Sequence, residues 1–170
     1  MLEVNSAINQ LKLDLAGGIP VLIGAPLYEN GRIYNAYYLI NNGEYSIVSR
    51  KHHLPNVNVF DEKRVFTSGP ISKPFEVLGV KIGTPICEDL WFEDVAGLMV
   101  ETGNNFLISP NGPPCSREKI DTRTQIVIKR SVETNVPIVY LNMTGGQDDL
   151  IFDGASFVLN PGGKHVVSLP

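Results

Sequence analysis

Apolar residues fall along this chain in two rhythms, short unbroken runs and helix-spaced stripes, which together predict strands interleaved with a few helices. Between about Ser6 and Ala16, Ile8, Leu11 and Leu15 recur at intervals that share one helix face, and Gly17 and Gly18 stop the helix. The run IPVLIGAPLY from Ile19 lacks polar alternation and predicts a strand covered on both faces. RIYNAYYLINNGEYSIVSR, from Arg32, holds two strand-like runs around Asn-Asn-Gly and predicts a hairpin. FEVLGVKIGTPIC, from Phe75, predicts a second hairpin bending at Gly79 or Gly83, and WFEDVAGLMVETG, from Trp91, a helix ending at Gly103. NNFLIS, from Asn104, predicts a strand. The loop PNGPPCS then leads into a helix from about Arg117 to Thr134, with Ser116 as its N-cap. VPIVYLNM and GASFVLN predict two more strands, and NPGGKHVVSLP reads as a hairpin interrupted halfway. Neighbouring strand pairs mixed with helices give the α/β class with some antiparallel pairing.

Composition narrows the partners. With 43% apolar and 19% charged residues, the chain has the balance of a soluble globular protein, and 170 residues suffice for one ordinary domain. A net charge of −4 without a basic run argues against nucleic acid. No apolar run is long enough to span a bilayer, and MLEVNSAINQ lacks a signal-peptide layout, so no membrane is expected. Cys87 and Cys115 are too few and too far apart for a zinc site or a disulfide framework, which fits a cytoplasmic protein with no metal.

VKIGTPICEDLWFEDV places Cys87 where an apolar strand stops, directly before Glu88, Asp89 and the only tryptophan, Trp91. A sulfur at a strand end before a helix meets unpaired N–H groups, which favour the thiolate. An ordinary thiol, with a pKa of about 8.5, is only slightly ionised at neutral pH, so a nucleophilic one needs that help or a nearby base. Glu88 and Asp89 oppose ionisation, so this account also requires a cation. The other account makes Cys87 a small buried hydrophobe. SRKHHLPN supplies a cation: strand alternation puts Lys51 and His53 on one face and His52 on the other. A lysine facing a cleft stabilises both a thiolate and an oxyanion. A basic cluster at a strand end also describes a solvated rim.

Taken together and in this order, the two segments resemble the nitrilase (carbon–nitrogen hydrolase) superfamily, and within it the glutaminase domain of glutamine-dependent NAD synthetases. Arg50-Lys51-His52-His53-Leu54-Pro55 is similar to the superfamily's Arg-Lys-x-His-Leu-Pro segment, and Ile86 to Trp91 to its Ile-Cys-Glu-Asp-x-Trp segment. LPNVNVFDEKRVF and YLNMTGGQDDLIFDGASF resemble the synthetase branch, and the likeness runs from about Ile19 to the end. The resemblance implies a nitrilase-like αββα sandwich and a Glu–Lys–Cys triad. Cys87 would attack the amide of glutamine, or a similar small amide, to give a thioester, with Lys51 stabilising the oxyanion. Substrate contacts are implied for Glu88, Trp91, Lys119 and His53. No cofactor is implied in this domain; ATP and Mg would serve a separate synthetase domain, which uses the ammonia to amidate nicotinate adenine dinucleotide. A homo-oligomer is implied as well.

The chain departs from the family in three places. The family's base lies upstream of the lysine in a Pro-Glu-Leu-x-x-x-Gly-Tyr segment, and the only glutamates before Lys51 are Glu3, Glu29 and Glu44, none in that context. The expectation is a partial nitrilase-like domain over residues 1–170, without its first βα unit or the synthetase domain, and inactive alone. Val57 and Asn58 stand where the branch has tyrosine and glycine, and Pro113 where it has serine. A lost hydroxyl hydrogen bond to a charged group costs about 1.5–3 kcal/mol. Two alternatives stay open: a non-catalytic nitrilase-like module that holds or regulates a partner, and an amidase for another small amide. GGQDD is expected to form a rim loop, and Cys115 an incidental loop thiol.

Overall fold

The computed structural model describes residues 2–57, 59–115 and 119–169, with only the backbone described at 119–121. The chain divides into two compact units between Ser72 and Lys73.

The first unit is a helix on a three-stranded antiparallel sheet: α1 (Leu2–Asp14), β1 (Val21–Glu29), β2 (Arg32–Asn41) and β3 (Glu44–Arg50), in the order β1-β2-β3. Ile8 of α1 packs with Ala36 and Tyr38 of β2, and Ile23, Ala25, Leu27 and Ile47 close round them. The β2–β3 turn is the predicted one, with Asn42 and Gly43 both at positive φ (51° and 75°), the conformation whose twist matches the flanking strands. The expectation for β1 is corrected. Its residues are half-buried at most, and Gly24 and Tyr28 are exposed. Ile23, Ala25 and Leu27 share the face that packs on the α1 cluster, and among the described residues β1 pairs with β2 alone.

The second unit centres on a six-stranded sheet ordered β11-β10-β7-β6-β5-β4. Its elements are β4 (Phe75–Val77), β5 (Val80–Gly83), α2 (Glu93–Glu101), β6 (Phe106–Asn111), α3 (Lys119–Thr134), β7 (Ile138–Asn142), β8 (Thr144–Gln147), β9 (Leu150–Asp153), β10 (Phe157–Leu159) and β11 (His165–Ser168). The central strands β5, β6 and β7 run parallel, joined through α2 and α3, while β4, β10 and β11 add antiparallel edges. Ile82, Val95, Met99, Leu107, Val127, Ile138 and Leu159 form the buried core. Gly83 is required where β5 ends, because a Cβ there would lie 2.6 Å from the Leu107 side chain. The Phe75 hairpin turns at Leu78 and Gly79, as expected.

Three further expectations change. The segment from Trp91 becomes helical only at Glu93, after a separate 3-10 turn over Cys87–Trp91. The hairpin at Asn160 is closed, with β11 pairing along β10. GGQDD is no rim loop: Thr144–Gln147 pairs with Leu150–Asp153 around a turn that holds Asp148 at φ 51°. The helix expected from Arg117 is described from Lys119, and the Ser116 cap lies outside the described residues. Among the described residues no helix is long and apolar enough to cross a membrane.

Candidate active site

In the first unit the site builds outward from Lys51. Its N–H donates to Asn35 O (2.8 Å) and its carbonyl accepts from Gly69 N–H (2.9 Å), so the backbone is held from both sides just past β3. The side chain is 1% exposed, which removes the solvated-rim account for this residue. Nζ lies 2.5 Å from Glu62 Oε1, and the other oxygen of Glu62 is buried without a hydrogen-bond partner among the described residues. Glu62 opens the 3-10 turn Glu62–Arg64. An ammonium removed from water is tolerable only against a counter-charge, and Glu62 supplies it.

The basic residues beside Lys51 have other partners. Arg50 meets both oxygens of Glu29 at 3.0 Å and lies over the Tyr34 ring. Glu44 pairs with Lys12 at 3.0 Å, and Glu3 lies in the first turn of α1. The expected sharing of a face by Lys51 and His53 does not hold as argued, because the strand ends at Arg50 and period-two alternation ends with it. His53 instead meets the His52 ring edge-on at 4.7 Å, and His52 Nδ1 sits 2.7 Å from Gly69 O. Val57 is 63% exposed, and Asn58 lies outside the described residues.

In the second unit Cys87 follows β5 by three buried residues and is the first residue of the 3-10 turn. The expectation that it sits at an α-helix N-terminus is corrected, since α2 begins six residues later. What marks Cys87 is its backbone, at φ 50°, a left-handed conformation that L-residues other than glycine seldom adopt. The sulfur-bearing residue is half-buried, so it is no core hydrophobe. Asp89, 1% exposed, accepts the Ile86 N–H at 3.1 Å and returns its own N–H to Ile86 O at 3.1 Å. Glu88 is half-buried in the same turn, and Trp91 ends it with 36% exposure. Lys119 opens α3, but its side chain lies outside the described atoms. Pro113 is half-buried, and Cys115 is exposed and forms no disulfide with Cys87.

Sequence reasoning did not single out the polar cluster beside this turn. Arg123 from α3 donates to both oxygens of Asp153 (3.1 and 2.9 Å), and Asn142 Nδ2 donates to Asp153 Oδ1 (3.2 Å). The guanidinium also lies 6.0 Å from the centre of the Tyr140 ring, which stacks on Phe157. The hydrogen bonds from Arg123 hold the Asp153 carboxyl below the usual range against the opposing effect of burial. Burial drives the Tyr140 phenol far above its ordinary value, and negative charge on Cys87 pushes it the same way. Glu62 was missed as well. It stands in FDEKR, a segment already noted for its likeness, but nothing in that run reveals that Lys51 is buried and needs a counter-ion.

Three kinds of similarity bear on this geometry. The profile described as Carbon-nitrogen hydrolase matches residues 13–170. The chain is 45% identical over 168 residues to the glutamine-dependent NAD(+) synthetase of Rhodobacter capsulatus, covering 99% of this chain and 30% of that protein. It is 40% identical over 142 residues to the synthetase of the same description from Acinetobacter baylyi, covering 84% of this chain and 26% of that one. Among solved structures, the glutamine-dependent NAD+ synthetase of Acinetobacter baumannii superposes with a TM-score of 0.87 at 34% identity, over 98% of this chain and 32% of that chain. A carbon-nitrogen hydrolase from Helicobacter pylori G27 gives a TM-score of 0.82 at 22% identity, over 98% and 63%, and so speaks to the fold alone. The fold class expected from the sequence, α/β of the nitrilase type, is the one these structures share with the chain. The chain thus spans less than a third of the length of these two curated synthetases.

Proposed function

The chain belongs to the carbon–nitrogen hydrolase family, and from that premise we propose that it is the glutamine-hydrolysing part of a glutamine-dependent NAD synthetase. The Cys87 thiolate attacks the side-chain amide carbon of glutamine. The thiol proton passes to the leaving nitrogen through the carboxylate base that the family carries upstream of Lys51, a context that none of Glu3, Glu29 and Glu44 has; ammonia departs, and water releases glutamate from the thioester. Lys51 stabilises the oxygen that turns negative on the way. The reading requires the Lys51 ammonium and the Cys87 sulfur to face one bound amide. Glu88, Trp91, Lys119 and His53 are assigned to holding it. Ammonia then serves a synthetase domain that uses ATP and Mg to amidate nicotinate adenine dinucleotide, and no cofactor is assigned to these 170 residues.

The observation that carries the proposal is the burial of Lys51 on a single carboxylate. A buried ion pair is weak as a stabilising device, so an ammonium kept out of water is better explained by a charge it must meet there. The likeness to named synthetases supports the choice of glutamine.

The test is mass spectrometry after exposure to a glutamine-mimicking electrophile. One adduct is expected, on Cys87, suppressed by excess glutamine and absent from Cys87→Ala. Labelling elsewhere, or none, overturns the proposal. Val57 and Pro113 favour a second reading, an amidase for a different small amide, because neither offers a hydroxyl to the charged ends of glutamine. Adduct formation on Cys87 that glutamine fails to suppress, but another amide in a panel does, selects it.

A further inference from the structure

We propose that Arg130 is a positioning residue for the Cys87 nucleophile, clamping the far end of the short turn that Cys87 opens. The inference rests on reading Cys87 as the nucleophile and is independent of which amide is attacked.

A non-glycine residue at positive φ costs about 1–3 kcal/mol and persists only where its surroundings leave the chain no alternative. The turn from Cys87 to Trp91 is five residues of 3-10 helix, a geometry with poor hydrogen bonds that seldom supports itself. At its near end Asp89 ties back to Ile86 through two bonds, one from each backbone polar group of Ile86. At its far end the carbonyls of Leu90 and Trp91 fall to Arg130. Nε donates to Leu90 O at 3.1 Å and Nη2 to Trp91 O at 3.2 Å, while Nη1 meets the Glu133 carboxylate. A planar guanidinium gripped in three directions fixes orientation in a way that a lysine ammonium does not.

The clamp is mounted on a rigid base. Arg130 is 4% exposed and lies on the sixteen-residue helix α3. The next residue, Ser131, donates to Asn160 O at 2.8 Å and accepts from Gly163 N–H at 3.3 Å, tying the helix to the β10–β11 connection. Cys87 therefore lies between two anchored ends, and the left-handed backbone is the conformation that joins them. Nothing about filling the core calls for an arginine here, because an apolar side chain of similar length would occupy the space without desolvating a charge. What the arginine adds is direction, and a nucleophile displaced by about 1 Å loses on the order of a hundredfold in rate.

The deciding variant is Arg130→Lys, which keeps the charge and loses the fork. Two readouts are taken on protein shown to be folded by its melting transition: the rate at which a glutamine-mimicking electrophile labels Cys87, and the rate at which iodoacetamide labels it. The expected result is a fall of about 10–100-fold in the maximal labelling rate by the glutamine mimic, with its half-saturating concentration changed by less than about threefold, and iodoacetamide labelling slowed about fivefold or more. A purely structural Arg130 would lower the melting temperature and leave both rates per folded molecule at their wild-type values, and that result overturns the proposal. Should Arg130→Lys not fold, Glu133→Gln decides. It loosens the third grip on the guanidinium at a partly exposed position, and an unchanged labelling rate counts against the clamp. If wild-type protein labels at Cys87 but excess glutamine does not suppress the labelling, the substrate assignment falls, and the labelling ratio still decides the role of Arg130.

Discussion

Lys51 and Cys87 are held in place by opposite means. In the first unit the chain fixes a charge by removing it from water: the ammonium is buried, the Glu62 carboxylate faces it, and the Lys51 backbone is hydrogen-bonded through both its N–H and its carbonyl. In the second unit the reactive side chain is only half-buried, and the constraint lies in the backbone, which is bent into a left-handed residue and tied at both ends of a short turn. A charged group tolerates some freedom in orientation, because its field is nearly isotropic, but it cannot be left without a counter-charge. A thiol needs no counter-charge while neutral, but its line of attack depends on where the Cα–Cβ bond points. The two devices should therefore fail differently when disturbed.

The largest failure is expected at Lys51. Lys51→Met preserves length and shape but leaves the half-buried Glu62 carboxylate unpaired, and removing one member of such a pair costs about 3–5 kcal/mol. Denaturant unfolding should show this loss, and adding Glu62→Gln should recover most of it. A loss below about 1 kcal/mol would mean that the buried pair is no constraint at all.

The Arg123–Asp153 pair brings the same logic into the second unit, as a bridge between the two cases. The Asp153 carboxyl is held below its ordinary range by the hydrogen bonds from Arg123. Its contribution is thus complete above the unfolded value of about 3.9 and is lost as pH falls through the lower folded value. Asp153→Asn should cost about 3 kcal/mol at pH 7, since it strands a buried guanidinium. Urea midpoints at pH 7 and pH 3 should show the gap between variant and wild type narrowing in acid. A gap independent of pH would remove the ion pair as its cause.

What the sequence made legible follows the same division. Local chemistry was readable in part: Asn42-Gly43 and Gly79 turn where their residue types permit positive φ, whereas Leu78 takes φ 53° against its type, and the parallel strands β6 and β7 stand out as apolar runs. The β8 strand was not, because the two glycines at the centre of TGGQ disfavour a strand, and its order comes from pairing with LIFD. Likeness to a known family singled out Lys51 and Cys87, whereas Glu62 and Arg130 act through burial and through contacts eleven and forty residues away. No periodicity encodes such contacts. The 3-10 turn went unread, and its last residue, Trp91, was taken as the start of the α-helix, for a related reason: only the ties from Asp89 and Arg130 specify the tighter path of CEDLW.

The smallest predicted effect probes the backbone device directly. At an ordinary position alanine is more stable than glycine by about 0.5–1 kcal/mol, because glycine loses more freedom on folding. At positive φ the order reverses, since a Cβ crowds the following carbonyl by about 1–2 kcal/mol. Cys87→Gly and Cys87→Ala both remove the sulfur, so the difference between them isolates the backbone. Cys87→Gly is expected to be the more stable by about 1 kcal/mol, measured as a difference in denaturant midpoint at equal slope. If Cys87→Ala proves the more stable, residue 87 carries no left-handed strain. The nucleophile would then be held by its side chain, as Lys51 is, and the contrast between the two units would disappear.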